Sequence, residues 1–366
     1  MKSRTRGRSG AAVLSATVAS VALLSGCAVG AAVPQDKVDQ TESEGPIPTA
    51  SSESLVDAAT KEGTVVWYTN EPRENAVAIA DLFQDTYPGI EVELLRLPGE
   101  KIAAKLEAEF SGPGLEADVA YVTPSFTIQR LADRGAFAPF YPEHADEVDS
   151  NYMDPEGNWV STGYVALVAL AYNADIVSEA DAPDSWADLV DPKWEGKITA
   201  GDPASLTVAT SAAAAWLENF GEEYVQKLGE NKPVLLSSFG DTEAAILSGS
   251  SPVGVVTDFR TYADMAQDRP IELVLPSEGS VAMAGAMGIN AEAEHPNAAR
   301  LFENFLFSDA VMDLYADNFS YPVRPGFASE GMPELDDVKV LEVDGESLSD
   351  PSKVADLRRT LRTLLG

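Results

Sequence analysis

The side chains that most often make and break covalent bonds are scarce in this sequence. One cysteine, Cys27, and two histidines, His144 and His295, are all that 366 residues provide. There is no Gly-x-Ser-x-Gly elbow, no phosphate loop of the Walker type and no His/Cys metal cluster. His144 and His295 are isolated, and His295 precedes a helical pattern, which suits a structural role. General acid–base chemistry would have to rest on carboxylates alone, so no enzyme, cofactor or metal is expected. The sequence is richer in groups suited to binding. Ser205-Leu206-Thr207 opens an Ala-rich helical stretch, and Ser237-Ser238 precedes another at Asp241. The first turn of a helix carries unpaired N–H groups and the positive end of the peptide dipoles, which together favour an anion. Ser205 can equally be an N-cap and nothing more.

For such groups to meet, regular elements must carry them to one place. Val65-Val66-Trp67-Tyr68 is a β-rich run ending at Thr69-Asn70. Ala76, Ile79, Ala80, Phe83 and Tyr87 recur at three- and four-residue steps and predict a helix that stops at Pro88-Gly89. Residues 90–94 alternate as a strand, 101–110 read as a helix and 118–122 as a strand. This βαβ alternation implies an α/β protein with largely parallel sheets flanked by helices. The apolar run 165–172 suits a buried strand crossing between two lobes. Further strands are predicted at 197–200, 234–236, 253–256 and 271–275, with helices at 205–220, 241–247 and 259–266. Residues 281–289 are expected to return to the first lobe as a strand, where helices 297–307 and 310–316 pack. An amphipathic helix at 354–365 ends the chain. The length suits two lobes: residues 55–160 with 279–330, then 161–278, with 331–366 as a C-terminal helical extension. Ligands of such folds lie at the carboxyl ends of strands, in the crevice between lobes. That rule selects Thr69, Asn70, Thr123, Ser125, Ser205, Thr207, Ser238, Asp258 and Arg260 as candidate ligand-binding residues.

Lys2, Arg4, Arg6 and Arg8 form a positive leader, and residues 11–24 are uncharged and mostly apolar, too short to span a membrane. Leu24-Ser25-Gly26-Cys27 follows and resembles the lipobox of bacterial lipoproteins. The resemblance implies that residues 1–26 are a signal peptide and that Cys27 is acylated, placing the protein on the outer face of the cell membrane. Two acyl chains suffice for stable anchoring. Residues 27–54 read as the acylated Cys and a flexible tether, rich in Ala, Pro, Ser, Thr, Gln and Glu. The formal net charge is −34; without residues 1–26, four of the 25 basic groups go and 21 face 59 acidic ones, a balance of −38. Nucleic acid and anionic headgroups are thereby poor partners, and contact with the membrane is expected through the anchor only. The acidity does not by itself imply a cationic ligand, because a solvated acidic surface also serves solubility. A body without cysteine has no disulfides, so burial must stabilise it.

Seven stretches in order carry a further likeness: Gly63-Thr64-Val65-Val66-Trp67-Tyr68-Thr69, Ala117-Asp118-Val119-Ala120-Tyr121-Val122, Ser185-Trp186-Ala187-Asp188-Leu189, Asp191-Pro192-Lys193-Trp194-Glu195-Gly196-Lys197-Ile198, Gly201-Asp202-Pro203-Ala204-Ser205, Pro252-Val253-Gly254-Val255-Val256 and Tyr321-Pro322-Val323-Arg324-Pro325. Over residues 55–325 the chain resembles the iron(III)-type family of ABC-importer solute-binding proteins, with the type 2 periplasmic binding fold. The resemblance implies two α/β lobes, a hinge of two or three crossing strands, and delivery of a small-molecule ligand to a permease and its ATPase. It implies a monomer that catalyses nothing. Iron-binding members ligate Fe³⁺ through a tyrosine pair, a histidine and a glutamate. Those positions fall here on Phe259, Arg260, Pro72 and Thr123, so iron is only an alternative cargo. Members also seat an anion at a helix opening that matches Ser205-Leu206-Thr207, and relatives that import phosphonates or sugar phosphates place polar residues where Asp258 and Arg260 stand. A phosphonate or phosphate ester is the cargo this favours, with Asp258 reading an ammonium or hydroxyl tail or else capping its helix. A surface lipoprotein that senses a solute for a receptor would share the same fold and site.

Overall fold

The computed structural model describes residues 52–366; the signal peptide, Cys27 and all but the last three tether residues lie outside the described residues. Ser52 caps the first helix, α1 (Glu53–Glu62), by accepting the Leu55 N–H, and Gly63 closes it in the left-handed region at φ 75°. Glu53 and Ser54, read from sequence as tether, are therefore helical. There follow β1 (Thr64–Thr69), α2 (Arg73–Thr86), β2 (Glu91–Arg96), α3 (Gly99–Phe110), β3 (Val119–Val122), α4 (Phe126–Ala132) and β4 (Phe137–Ala138). The long β5 (Tyr164–Asn173) is buried at all ten positions. After it come β6 (Ile198–Gly201), α5 (Thr207–Glu230), β7 (Val234–Leu236), α6 (Phe239–Leu247), β8 (Val253–Thr257), α7 (Asp258–Met265), β9 (Ile271–Val274), β10 (Val281–Ala284) and β11 (Ala286–Asn290). The chain ends with α8 (Pro296–Leu306), α9 (Asp309–Asp317), β12 (Tyr321–Pro322), α10 (Gly345–Ser349) and α11 (Pro351–Leu365). Among the described residues no helix is long and apolar enough to cross a membrane.

Two mixed sheets organise these elements. The first has the order β2-β1-β3-β11-β4, with β1, β2 and β3 parallel. The second runs β10-β5-β8-β6-β7, with β9 and β12 also paired to β5. The periodic helices lie where their apolar faces predict. Ile79 and Phe83 of α2 are fully buried, and the Phe83 ring stands 5.0 Å from Phe302 of α8, which itself lies 5.1 Å from Trp67 of β1. Each such side chain contributes on the order of 1.5–3 kcal/mol by leaving water. Asp118, immediately before β3, is buried and accepts the Val66 N–H at 2.8 Å, the His295 N–H at 2.9 Å and His295 Nδ1 at 2.8 Å. His295 thus joins β1, β3 and the start of α8.

Two expectations are corrected by the topology: the sheets are not largely parallel, because every pairing of β5 and of β11 is antiparallel, and the last apolar run divides. Residues 281–289 are not a single returning strand. β10 pairs with β5 in the second sheet, while β11 pairs with β3 and β4 in the first. The break is Gly285, where a Cβ would run into the Tyr121 ring and the Thr123 hydroxyl. Only a residue without a side chain fits at this passage between the sheets. The C-terminal residues touch both halves. Arg358 of α11 donates to Thr210 Oγ1 at 3.1 Å and to Thr207 Oγ1 at 3.4 Å on α5, whereas Arg130 of α4 donates to the Ser349 carbonyl at 2.8 Å.

Candidate ligand cleft

The carboxyl ends of β1, β2 and β3 face those of β7 and β8 across a cleft of about 500 Å³, within the range of small-molecule sites. From the first sheet it receives Asn70, Glu71 and Arg73 after β1, Arg96 at the end of β2, and Thr123 after β3. From the second come Ser238, Phe239 and Gly240 at the opening of α6, and Thr257, Phe259 and Arg260 after β8. Tyr164 and Ala166 of β5 and Met283 of β10, also from the second sheet, complete the lining.

Of the residues nominated from sequence, Asn70, Thr123, Ser238 and Arg260 meet in this cleft. Asn70 ties two strand ends together: its Oδ1 accepts the Thr123 N–H at 2.9 Å and its Nδ2 donates to the Thr123 carbonyl at 2.8 Å. The Thr123 hydroxyl donates to Tyr121 at 2.9 Å. Ser238 caps α6, accepting the Asp241 N–H at 3.1 Å. Arg260 donates from Nε to Glu243 Oε2 at 3.0 Å and lies against the first turn of α6, where a Cβ on Gly240 would stand 3.0 Å from its guanidinium.

The other five nominated residues do not line the cleft. Thr69 is fully buried, and its hydroxyl shapes the loop by accepting the Glu71 N–H at 3.0 Å. Ser125 stands at the start of α4 and donates its N–H to the Ala284 carbonyl at 3.0 Å. Ser205 is exposed and turned back onto Asp202, 3.1 Å from Oδ2. Thr207 donates to Glu100 Oε1 at 3.0 Å and receives Arg358, so its hydroxyl joins α5 to α3 and α11. Asp258 is inaccessible: its Oδ1 takes the Leu167 N–H at 2.8 Å, which completes the bonding of β5 beside β8. Its carboxyl serves β5, beneath the cleft.

Sequence reasoning passed over Glu71, Arg73, Arg96 and Gly240. The strand-end rule reaches Arg96 once β2 is allowed to run two residues further than residue 94, and Glu71 and Arg73 once the loop after Asn70 is included. Arg96 donates from Nε to the Glu71 carbonyl at 2.9 Å, which holds its guanidinium at the cleft. Burial pushes the Glu71 carboxyl up to about 7, against the pull of Tyr121, Tyr315, Arg96 and Asn75. Burial also pushes Glu243 to about 7, against Arg260, and Asp258 to about 7, against its bond from Leu167. Near neutrality these carboxyls hold protons for part of the time. Of the charged residues that line the cleft, Arg73, Arg96 and Arg260 outnumber the two acids, Glu71 and Glu74.

Residues 117–347 match the family model described as bacterial extracellular solute-binding protein. A probable ABC transporter periplasmic-binding protein of Sinorhizobium fredii is 32% identical over 274 residues, 72% of this chain and 75% of that one. The Fe(3+)-binding periplasmic protein of Serratia marcescens is 25% identical over 323 residues, 82% of this chain and 90% of its own. Among solved structures, iron-bound HitA from Pseudomonas aeruginosa superposes with a TM-score of 0.72 at 23% identity, covering 81% of this chain and 99% of that one. The periplasmic binding protein AfuA from Actinobacillus pleuropneumoniae, with fructose-6-phosphate bound, gives 0.68 at 22% identity over 81% and 97%. The chain belongs to the family of bacterial extracellular solute-binding proteins and is a two-lobed binding protein of the ABC-importer kind.

Proposed function

We propose that this protein captures a small organic anion or zwitterion, a phosphonate or phosphate ester by preference, and passes it to an ABC permease and its ATPase. The observation that carries the reading is the meeting of Arg96 from the first sheet with Arg260 and the opening of α6 from the second, in one cleft. Guanidinium groups give planar pairs of N–H donors matched to phosphate oxygens, and the helix opening adds backbone N–H groups of the same polarity. Donors on both lobes let an anion draw the lobes together. Asn70, Thr123, Ser238 and Arg260 are the proposed contacts from the original set, joined by Arg96. The four positions to which the resemblance assigns iron ligands carry Pro72, Thr123, Phe259 and Arg260, and all four line this cleft. None is a usual ligand for a hard trivalent ion, which favours an anionic cargo over iron.

A thermal-shift screen of the mature domain tests this. Its panel holds phosphonates, phosphate esters, polyamines, thiamine and ferric citrate. A true ligand at a hundred times its dissociation constant adds roughly 2.7 kcal/mol of stability, enough for a clear shift in melting temperature. The expected hits are phosphonates or phosphate esters. Shifts from cationic or uncharged compounds alone, or a tyrosinate-to-iron band with ferric citrate, would overturn the reading.

We further propose that Cys27 is the acylated first residue of the mature protein, on a tether outside the membrane. Cys27→Ser should move the protein into the soluble fraction without changing its melting temperature. Persistence of that variant in salt-washed membranes would refute the anchor.

A further inference from the structure

Glu71 combines three features that no other acid of the cleft shares. It lines the cleft, it is 2% exposed, and its Oε2 makes no hydrogen bond. Its other oxygen accepts the Tyr315 hydroxyl at 3.3 Å. The buried phenols of Tyr121, Tyr164 and Tyr315 surround it, and Arg96 donates from Nε to the Glu71 backbone carbonyl. Buried polar atoms are nearly always paired, and an unpaired one at a binding surface marks where a partner is missing. Arg96 and the Glu71 carboxyl thus line the same cleft.

We propose that Glu71 is the specificity-determining residue of the cleft, its free carboxyl oxygen receiving the ammonium or hydroxyl hydrogen of a ligand whose anionic end rests on Arg96 and Arg260. The inference rests on the anion reading above and narrows it: the cargo is a zwitterion or a hydroxylated anion, not a bare oxyanion. It also moves the discriminating carboxylate from Asp258, which is sealed under β5, to the loop after β1. A site built around a buried polar group rejects ligands that leave that group unpaired.

Three matched compounds test the proposal: 2-aminoethylphosphonate, 2-hydroxyethylphosphonate and ethylphosphonate, titrated calorimetrically into the wild type and Glu71→Gln. The wild type should bind the amino or the hydroxy compound about tenfold or more above ethylphosphonate. Glu71→Gln should erase that preference and change ethylphosphonate binding by less than about threefold, since the glutamine keeps the shape. Equal affinity of the wild type for all three would overturn the role of Glu71 while leaving the anion reading intact, and this arm does not depend on the variant folding. Equal loss of all three in Glu71→Gln would mark a purely structural residue and overturn it as well. If the wild type binds none of the three, the proposed role of Glu71 falls, while the anion reading stands or falls on the thermal-shift panel.

Discussion

Arg96→Ala and Arg260→Ala should each weaken the anionic ligand by about ten- to hundredfold, and the double variant should leave no measurable binding. A hydrogen bond to a charged partner is worth about 1.5–3 kcal/mol, and 1.4 kcal/mol is a factor of ten. The effect should be large because the chain, at a net charge of −34, otherwise repels its own cargo. Nearby carboxylates do not cancel the loss. Arg260 is held by Glu243, but burial already pushes that acid to about 7, so removal of the arginine lets it take up a proton. Ser205→Ala is the control. Its hydroxyl is exposed and engaged with Asp202, so affinity should change by less than about twofold, as expected of a surface substitution. Isothermal titration of the wild type and the four variants reads all of this directly. Wild-type affinity in the double variant would place the anion-binding donors elsewhere.

Asp118→Ala should be the most destabilising single change outside the cleft, costing about 3–5 kcal/mol, as expected when one partner of a buried charged network is removed. Asp118 is 1% exposed, and its two oxygens satisfy Val66, the His295 backbone and the His295 ring. Truncation leaves those donors without acceptors at the junction of β1, β3 and α8. At about 2 °C per kcal/mol for a chain of this size, the melting temperature should fall by roughly 6–10 °C. Asp118→Asn keeps one acceptor oxygen and should lie between the two. Chemical denaturation of the three proteins decides the matter, and a loss under 1 kcal/mol for Asp118→Ala would show that the pairing with His295 is not holding the junction.

Most elements of the fold were legible because their signals are local. A three- and four-residue recurrence from Ala76 to Tyr87 needs no distant partner to be read as a helix. α5 continues through Gly221 at φ 80°, yet its first regular segment still ends near Phe220, where the apolar pattern weakens. The scarcity of His and Cys, the acidity and the order of strands and helices likewise belong to the chain alone. They sufficed for an α/β chain with a cleft at its strand ends; the solute-binding role came from the resemblance.

The contents of that cleft depended on contacts between segments far apart in the chain. Asp258 and Glu71 are both polar residues just past the end of a strand, and nothing in their neighbours separates them. Packing does: each has one bonded and one unpaired oxygen, but Asp258 is closed off beneath β5, where it accepts the Leu167 N–H, while Glu71 lines the cleft. Ser205 and Thr207 stand at a true helix opening, but Asp202 claims one hydroxyl, and Glu100 and Arg358, over a hundred residues away in sequence, claim the other. The apolar run 281–289 likewise carries no mark that its halves belong to different sheets. The sequence by itself determined which groups stand at strand ends, because backbone periodicity is a local property. Only the tertiary structure decided which of them face the ligand, because burial and hydrogen-bond pairing depend on what distant segments bring against them.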